Sequence, residues 1–350
     1  MQSTMAANNI RLDDDTIASQ GGSLIFFNII FFAIVVASLG AFVVIDWHNE
    51  KENHETARQQ LQQMLKTGQM MVFNKLEGFA HMLTLNESLK LAFRQQDRKG
   101  LLKMVQPTYF NLRAKHNITH VYFFGKQMET FLRVHQPDRY DDIVLRKVNS
   151  KALATMQTSQ GIELGPLGTF TLRVVVPWYE NNGTLLGFIE LGVEFGKILR
   201  DMKINPLFKE LYLFLDKSLL RPDEWQRGLN MVGLPVGEWD RFTNWILVGG
   251  TALKLPVDLD GNLSSDVPSL LARLGRMIFA TEHFYNLSVQ VADDEGRSVA
   301  SILAVTDDLA IRNTAQRYLL VWLFGICSFS VLLFVLYLRI ASKTEESVEK

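Results

Sequence analysis

The chain has 350 residues, 47% of them hydrophobic, and its 36 basic and 37 acidic side chains leave a formal net charge of −1. That near-balance argues against a nucleic-acid partner, whose phosphates call for a basic excess. A single cysteine, Cys327, excludes an intrachain disulfide and leaves the redox compartment open.

In chain order, a polar tail over residues 1–22 precedes SLIFFNIIFFAIVVASLGAFVVI, Ser23 to Ile45, which carries no charge. Near the other end Tyr318 to Leu338, YLLVWLFGICSFSVLLFVLYL, is uncharged as well. As a helix, either stretch is long enough to cross about 30 Å of hydrocarbon, and a helix satisfies its own backbone hydrogen bonds there. Buried core helices seldom run this long without a charge. The first stretch is too long, and too weakly preceded by positive charge, for a cleaved signal peptide, so it reads as an uncleaved anchor. Trp47, Tyr318, Trp322 and Tyr337 suit interfacial positions. The expected order is a tail (1–22), a membrane span (23–45), a folded body (46–317), a second span (318–338) and a second tail (339–350). Arg11, Arg339, Lys343 and Lys350 on one side face Lys51, Arg58, Arg312 and Arg317 on the other, so basic residues alone do not orient the chain.

A charged, proline-free stretch then continues to about Arg98. Leu61, Leu65, Gly68, Val72, Leu76, Phe79 and Leu83 recur at steps of three and four, one face of a long helix. That face either packs on its own domain or, at near-heptad spacing, pairs with a second copy in a homodimer. A second amphipathic piece, Leu101 to His116, follows an expected break near Gly100, with Pro107 as a kink. The period then changes. ITHVYFF reads as a strand, GKQME as a turn and TFLRVH as a second strand. A helix around Val148 to Thr158 and a glycine-punctuated turn, GIELGPLG, follow. TFTLRVVVPWY and LLGFIELGVEF read as a hairpin joined by ENNG.

The pattern returns. LYLFLD, Leu211 to Asp216, repeats the apolar alternation, and LSVQVADDEGRSVASILAVTDDL parallels VVVPWYENNGTLLGFIELGVEF when Gly183 is laid on Gly296. Leu186, Ile189 and Val193 then fall on Val299, Ile302 and Thr306, which points to duplicated modules. The stretch Gly249 to Pro268 reads as a long loop, and Asp307 to Arg317 as a helix running into the second span. The fold class is α+β: a long N-terminal helix and two tandem antiparallel-sheet modules, flanked by two transmembrane helices.

These elements together resemble a double Cache sensor, built of tandem PAS-like modules. The resemblance is sharpest from Val121 to Glu194. It rests on Leu132-Arg133-Val134-His135-Gln136-Pro137, then Asp141-Asp142, Arg146, Gly161-Ile162-Glu163-Leu164-Gly165, Arg173-Val174-Val175-Val176-Pro177 and Gly187-Phe188-Ile189-Glu190-Leu191-Gly192. Tyr140 stands where the pattern has a glycine before the aspartates. The resemblance implies a bacterial inner-membrane receptor with both tails cytoplasmic, a distal module at about 100–200 and a proximal one at about 205–310. It also implies a small-molecule ligand outside, with a cytoplasmic signalling partner or output domain inside. The tyrosine, arginine, tryptophan and aspartate pattern of the amino-acid-binding subgroup is not intact, so that ligand is not carried over.

The densest charge lies in FLRVHQPDRYDDIVLRK, Phe131 to Lys147. Arg133 and His135 share strand parity and so one face. With Arg173 from a later strand they could clamp an anionic carboxylate or phosphate. The other reading pairs the arginines internally with Asp141, Asp142, Glu163 and Glu190. Asp142, Arg146, Glu163 and Glu190 enter the candidate site on the network reading. No nucleophile motif, P-loop or H-E-x-x-H is present, so an enzyme is not expected. His116, His120 and His135 match no metal-ligand spacing, and neither metal nor cofactor is expected. A membrane-anchored accessory subunit that binds a partner protein is the competing function.

Overall fold

A computed structural model of the chain describes residues 2–144, 146–165, 167–201, 208–232, 239–251, 284–307, 321–326, 328–336 and 339. The chain divides into two compact units. One holds α1 as far as Glu55 together with the described helical residues between 321 and 339; the other begins at Thr56 and holds both sheets.

In the first unit, large apolar side chains such as Phe26, Phe32, Val44, Phe324 and Val331 are exposed. Phe31, Ile34, Trp322, Ile326 and Phe329 line a shared apolar groove of about 390 Å³. Of the second expected span, residues 318–320, 327, 337 and 338 fall outside the described residues. Among the described residues no helix is long and apolar enough to cross a membrane.

In the second unit, the helical layer is α1 (Gln2–Thr84), α2 (Glu87–Arg94) and α3 (Arg98–His116). The expected stripe on α1 is its packed face: Leu61, Leu65, Gly68, Val72, Leu76 and Leu83 are buried, and Phe79 packs against the core. The helix does not run on to Arg98. Asn86 caps α2 by accepting from the amides of Ser88 and Leu89 at 3.0 and 3.2 Å. Asp97 caps α3 by accepting from Gly100 at 2.8 Å. The break therefore falls at these two capping side chains, before Gly100, which lies inside α3, as does Pro107.

Strands β1 (Ile118–Phe124), β2 (Thr130–Arg133), β3 (Ser159–Leu164), β4 (Phe170–Tyr179) and β5 (Leu185–Glu194) form an antiparallel sheet in the order β2-β1-β5-β4-β3. Helix α4 (Lys147–Thr155) connects toward β3, somewhat ahead of its expected position. The stretch GIELGPLG is not one turn. Gly161 to Leu164 pair with Arg173 to Phe170 in the ladder, and the turn is confined to the bonds from Gly165 to Thr169 and from Gly168 to Gly165. The second strand likewise stops at Arg133, leaving His135 in the turn beyond it.

After α5 (Phe195–Asp201), a second antiparallel sheet forms from β6 (Phe208–Asp216), β7 (Trp245–Gly250), β8 (Phe284–Ala292) and β9 (Ser298–Asp307), in the order β7-β6-β9-β8. Helix α6 (Pro222–Val232) joins β6 toward β7. The duplication is visible in register. Glu180 N–H donates to Thr184 and Gly183 to Glu180 in one hairpin; Asp293 donates to Arg297 and Gly296 to Asp293 in the other. Gly183 and Gly296 have φ of 83° and 78°, in the left-handed region these turns require. The ladders even shift at matched positions, between Trp178 and Tyr179 and between Val291 and Ala292. Of the expected loop Gly249 to Pro268, Gly249 and Gly250 belong to β7 and residues from 252 onward lie outside the described set; so does the expected helix after Asp307.

The tip of the β8–β9 hairpin covers the edge of the first sheet. Asp294 N–H donates to the Ile162 carbonyl at 3.0 Å, and Ile162 N–H donates to Asp294 Oδ1 at 3.2 Å. The Asp294 carboxylate fills the space that a Cβ at Gly161 would need, with Oδ2 only 1.5 Å from that point. Edge strand β3 thus gains partners that would otherwise be water.

One apolar core joins the helices, the inner face of the first sheet and residues of the second, among them Leu211, Leu213 and Ile302. Trp178 sits in it fully buried, against Phe93 and Phe123, and its Nε1–H donates to the Thr84 carbonyl at 3.1 Å, tying the end of α1 to β4. Trp178→Ala is expected to lower unfolding stability by about 3–5 kcal/mol, read as a fall in the urea midpoint of the purified chain.

Candidate functional site

Strand alternation sends Val121, Phe123, Leu172, Val174, Ile189 and Leu191 to the helix-facing core. The opposite face of the same sheet carries the charge. Tyr122 pairs with Glu190 across β1 and β5, Arg173 with Gly192 across β4 and β5, and Glu163 with Thr171 across β3 and β4, so these residues share one side. Helix α4 lies over that side, where Val148 and Ala152 pack with Tyr122, Phe124, Val175 and Phe188.

The centre is Glu190, which has no solvent exposure. Arg146 Nη2 donates to its two oxygens at 2.9 and 2.7 Å, Arg173 Nη1 donates at 2.6 Å, and Asn149 Nδ2 donates at 2.9 Å. Burial by itself raises a carboxylate pKa, but Arg146 and Arg173 overcome it and hold Glu190 below its ordinary value. Glu163 lies beside the same guanidiniums, 3.3 Å from Arg146 Nε and 3.5 Å from Arg173 Nε, and accepts from Val148 N–H at 3.1 Å. Its Oε2 and Arg173 Nε are both buried without an aligned hydrogen bond. For Glu163 burial prevails over the arginines and raises the pKa.

Farther along the face, buried Glu194 accepts from Thr171 Oγ1 at 3.1 Å and lies 3.6 Å from His120 Nδ1, which is itself 2.9 Å from Thr119 Oγ1. Burial, only partly offset by Arg173, pushes the Glu194 carboxyl up to about 7. Burial keeps His120 neutral, well below its ordinary value.

Arg133 and His135 meet at Tyr122. The Arg133 guanidinium lies 5.4 Å from its ring centroid, and the His135 ring stands edge-on at 4.8 Å. Arg133 donates to both oxygens of Asp142, at 2.7 and 2.6 Å, and to the Arg139 carbonyl at 2.8 Å. Asp142 is held below its usual range by that bonding. His135 Nδ1 accepts from Val121 N–H at 3.4 Å, so the neutral ring carries its proton on Nε2. That Nε2 is buried with no hydrogen-bond partner. Burial, reinforced by Arg173, lowers the His135 pKa to about 3, so the donor is neutral.

All seven expected residues, Arg133, His135, Asp142, Arg146, Glu163, Arg173 and Glu190, thus lie on or against one sheet face. They do not form one three-cation clamp. Arg173 joins Arg146 on Glu190 and Glu163, while Arg133 takes Asp142; the internal pairing accounts for all three arginines. Asp141 pairs with Arg98 at 2.7 Å instead. The left-handed residue of the turn is Asp141, φ 64°, and Tyr140 beside it receives the Arg98 guanidinium 3.6 Å above its ring. Sequence reasoning missed Tyr122, Asn149 and Glu194, and weighed His120 only as a metal ligand. Glu194 shares the parity of Glu190 on β5, and His120 shares that of Tyr122, the residue that pairs with Glu190 from β1; that alternation was the available signal. Among the described residues no cluster of three or more His, Cys, Asp or Glu side chains could hold a metal ion, and His116 packs its ring on Phe79 at 4.7 Å.

Two changes test this electrostatic core. Glu190→Ala leaves Arg146 and Arg173 buried around a lost carboxylate and is expected to cost about 3–5 kcal/mol of unfolding stability. Glu194 gives a pH signature. Between 4.5 and about 7 the folded chain keeps a proton that the unfolded chain has released, so this group weakens folding as pH rises through that window. Glu194→Gln removes the effect, and its stability relative to the parent is expected to be greater at pH 8 than at pH 5 in paired denaturation curves.

All of these residues fall inside the span matched by a known family. The family described as the double sensory domain of two-component sensor kinase matches residues 54–229, half of the 350-residue chain. The periplasmic domain of Vibrio cholerae LuxQ is similar at 10% identity and a TM-score of 0.43, over 71% of this chain and 99% of that one. A domain of a putative sensory box/GGDEF family protein from Vibrio parahaemolyticus is similar at 14% identity and a TM-score of 0.41, over 75% and 99%. The sensor domain of the V. cholerae histidine kinase DctB follows at 11% and 0.38, over 73% and 98%. No curated protein matches the sequence.

Proposed function

The chain belongs to the double Cache family, the double sensory domain of two-component sensor kinases, and from that premise we propose that it is a transmembrane receptor whose first sheet binds a small carboxylate ligand outside the cytoplasm. Ser23 to Ile45 and Tyr318 to Leu338 are the proposed membrane spans, with both tails cytoplasmic. The signal passes through them to a cytoplasmic signalling partner or output domain.

One observation carries the ligand assignment. At Tyr122, a buried guanidinium already geometrically suited to hold one carboxylate by both oxygens stands beside a buried His135 Nε2–H with no partner. Both groups donate, and both are bound by neighbours that fix their orientation. A carboxylate is the small ligand whose acceptors answer that pair. Glu190 with Arg146, Arg173 and Asn149 then acts as the support that holds β4, β5 and α4 in place, and it takes no part in ligand contact.

A ligand shifts a receptor only by binding one of its states more tightly. The groups offered to it lie under the segment from Val134 to Arg146. That segment continues into Lys147, whose ammonium donates to the Asp294 carbonyl on the second sheet. Rearrangement over Arg133 therefore has a bonded route to the second sheet.

Full-length protein in detergent micelles should be thermally stabilised by at least one member of a panel of small mono- and dicarboxylates. Arg133→Ala should abolish the shift, and His135→Ala should reduce it. A panel that stabilises the parent and Arg133→Ala equally removes this site from the reading.

A further inference from the structure

We propose that Asp142 is a tethered stand-in for the ligand: its carboxylate occupies the seat on Arg133, and sensing is the exchange of that carboxylate for a free one. The proposal rests on the reading of Arg133 and His135 as the ligand site.

The two partners differ in depth. The Arg133 side chain is 4% exposed and the Asp142 side chain 39%, so the guanidinium forms the floor of the seat and the carboxylate sits at its mouth. Asp142 is also replaceable in a way that Glu190 is not. Glu190 has three donor residues and no exposure, whereas the hydrogen bonds of the Asp142 carboxylate go to Arg133, with Arg139 at 3.6 Å beside it.

Its backbone need not move to let go. Asp141 N–H donates to the Thr130 carbonyl at 2.8 Å, and Thr130 N–H donates to the Asp142 carbonyl at 2.9 Å. The main chain is thereby stitched to β2, and rotation of one short side chain withdraws the carboxylate. A second cation waits on the outside. Arg139 Nη2 lies 3.6 Å from Asp142 Oδ2, with its side chain 57% exposed. A displaced Asp142 can turn from the buried guanidinium to the exposed one, so both carboxylates remain paired after the exchange.

The exchange also explains why a site with a buried arginine is electrically closed without ligand. An empty Arg133 would leave a buried charge unpaired, and the tethered carboxylate prevents that. The consequence is attenuated affinity, since only the fraction of molecules with Asp142 withdrawn can accept ligand. Once Asp142 leaves Arg133, the segment Val134–Arg146 loses one of its side-chain anchors, while the Arg139 carbonyl and the Tyr122 ring stay against that guanidinium and Asp141 stays on Arg98.

The test uses the full chain in detergent micelles, with sodium acetate and sodium succinate titrated against sodium chloride at equal ionic strength. Asp142→Asn keeps the shape of the side chain and removes its charge; Asp142→Ala vacates the seat. Both variants are expected to bind the better of the two carboxylates at least about tenfold more tightly than the parent. Asp142→Ala should regain its lost thermal stability with acetate and not with chloride, and Arg133→Ala should respond to neither. Equal or weaker carboxylate binding by Asp142→Asn, with the parent still responding through Arg133, overturns the exchange and leaves the ligand site standing. Acetate rescue of Asp142→Ala with a parent blind to both carboxylates supports the seat and removes these compounds from the sensing reading.

Discussion

A carboxylate shut away from water between two guanidiniums sets the terms for the rest of the first sheet. Glu190 could not remain ionised there without Arg146 and Arg173, and neither arginine could be buried without Glu190. The three come from the connection after β2, from β4 and from β5. Their pairing therefore fixes the strands to the segment that crosses over them. A hydrophobic replacement could match its stability, but it would not orient Arg146 at the start of α4, from where the chain reaches both Tyr122 and Asp294.

The two faces of that sheet do different work because side chains alternate. One face is apolar and sealed by α1, α2 and α3, with Trp178 joined to the end of α1 by a hydrogen bond. The other is polar and sealed by α4 and a loop. On the polar face the charges fall into two groups. Those at Glu190 are deep and multiply bonded, and give rigidity. At Arg133 the guanidinium is buried as well, but its carboxylate partner, Asp142, reaches the surface. Rigidity beside a replaceable ion pair is the arrangement a receptor needs: a fixed frame against which a local exchange can be registered.

The second sheet reuses the same plan with an apolar centre on the equivalent face. Its hairpin has the same turn bonds and the same ladder shift as the first, yet the face of β6 and β9 equivalent to the charged face carries Tyr212, Phe214, Leu303 and Val305. Its hairpin tip, instead of standing in water, closes the edge of β3 through Asp294. Duplication supplied the frame, and divergence assigned one copy to polar chemistry and the other to contact.

The elements of the fold were legible from sequence wherever periodicity was local. The α1 stripe, β1, the ENNG hairpin and the Gly183–Gly296 equivalence each follow from spacing that a short window contains, because a helix face or a tight turn is decided by residues a few positions apart. The family was legible from motifs in the same region. Boundaries set by single capping side chains, Asn86 and Asp97, were not, since a cap differs from any other polar residue only in what its side chain accepts.

The candidate residues and the pool of acids that could pair with them were visible in sequence, and which acid each arginine takes was not. Sequence offered Arg133, Arg173 and His135 as one clamp because parity says which face a side chain shares, not which carboxylate across the sheet it meets. Strand order and register bring Glu190 from β5 to Arg173 on β4, and the fold of the loop turns Asp142 back onto Arg133. Chain chemistry alone determined that three arginines and their acids share one surface; only tertiary structure decided the pairing, because ion pairs form between residues 9 to 44 positions apart and depend on distances that no local pattern contains.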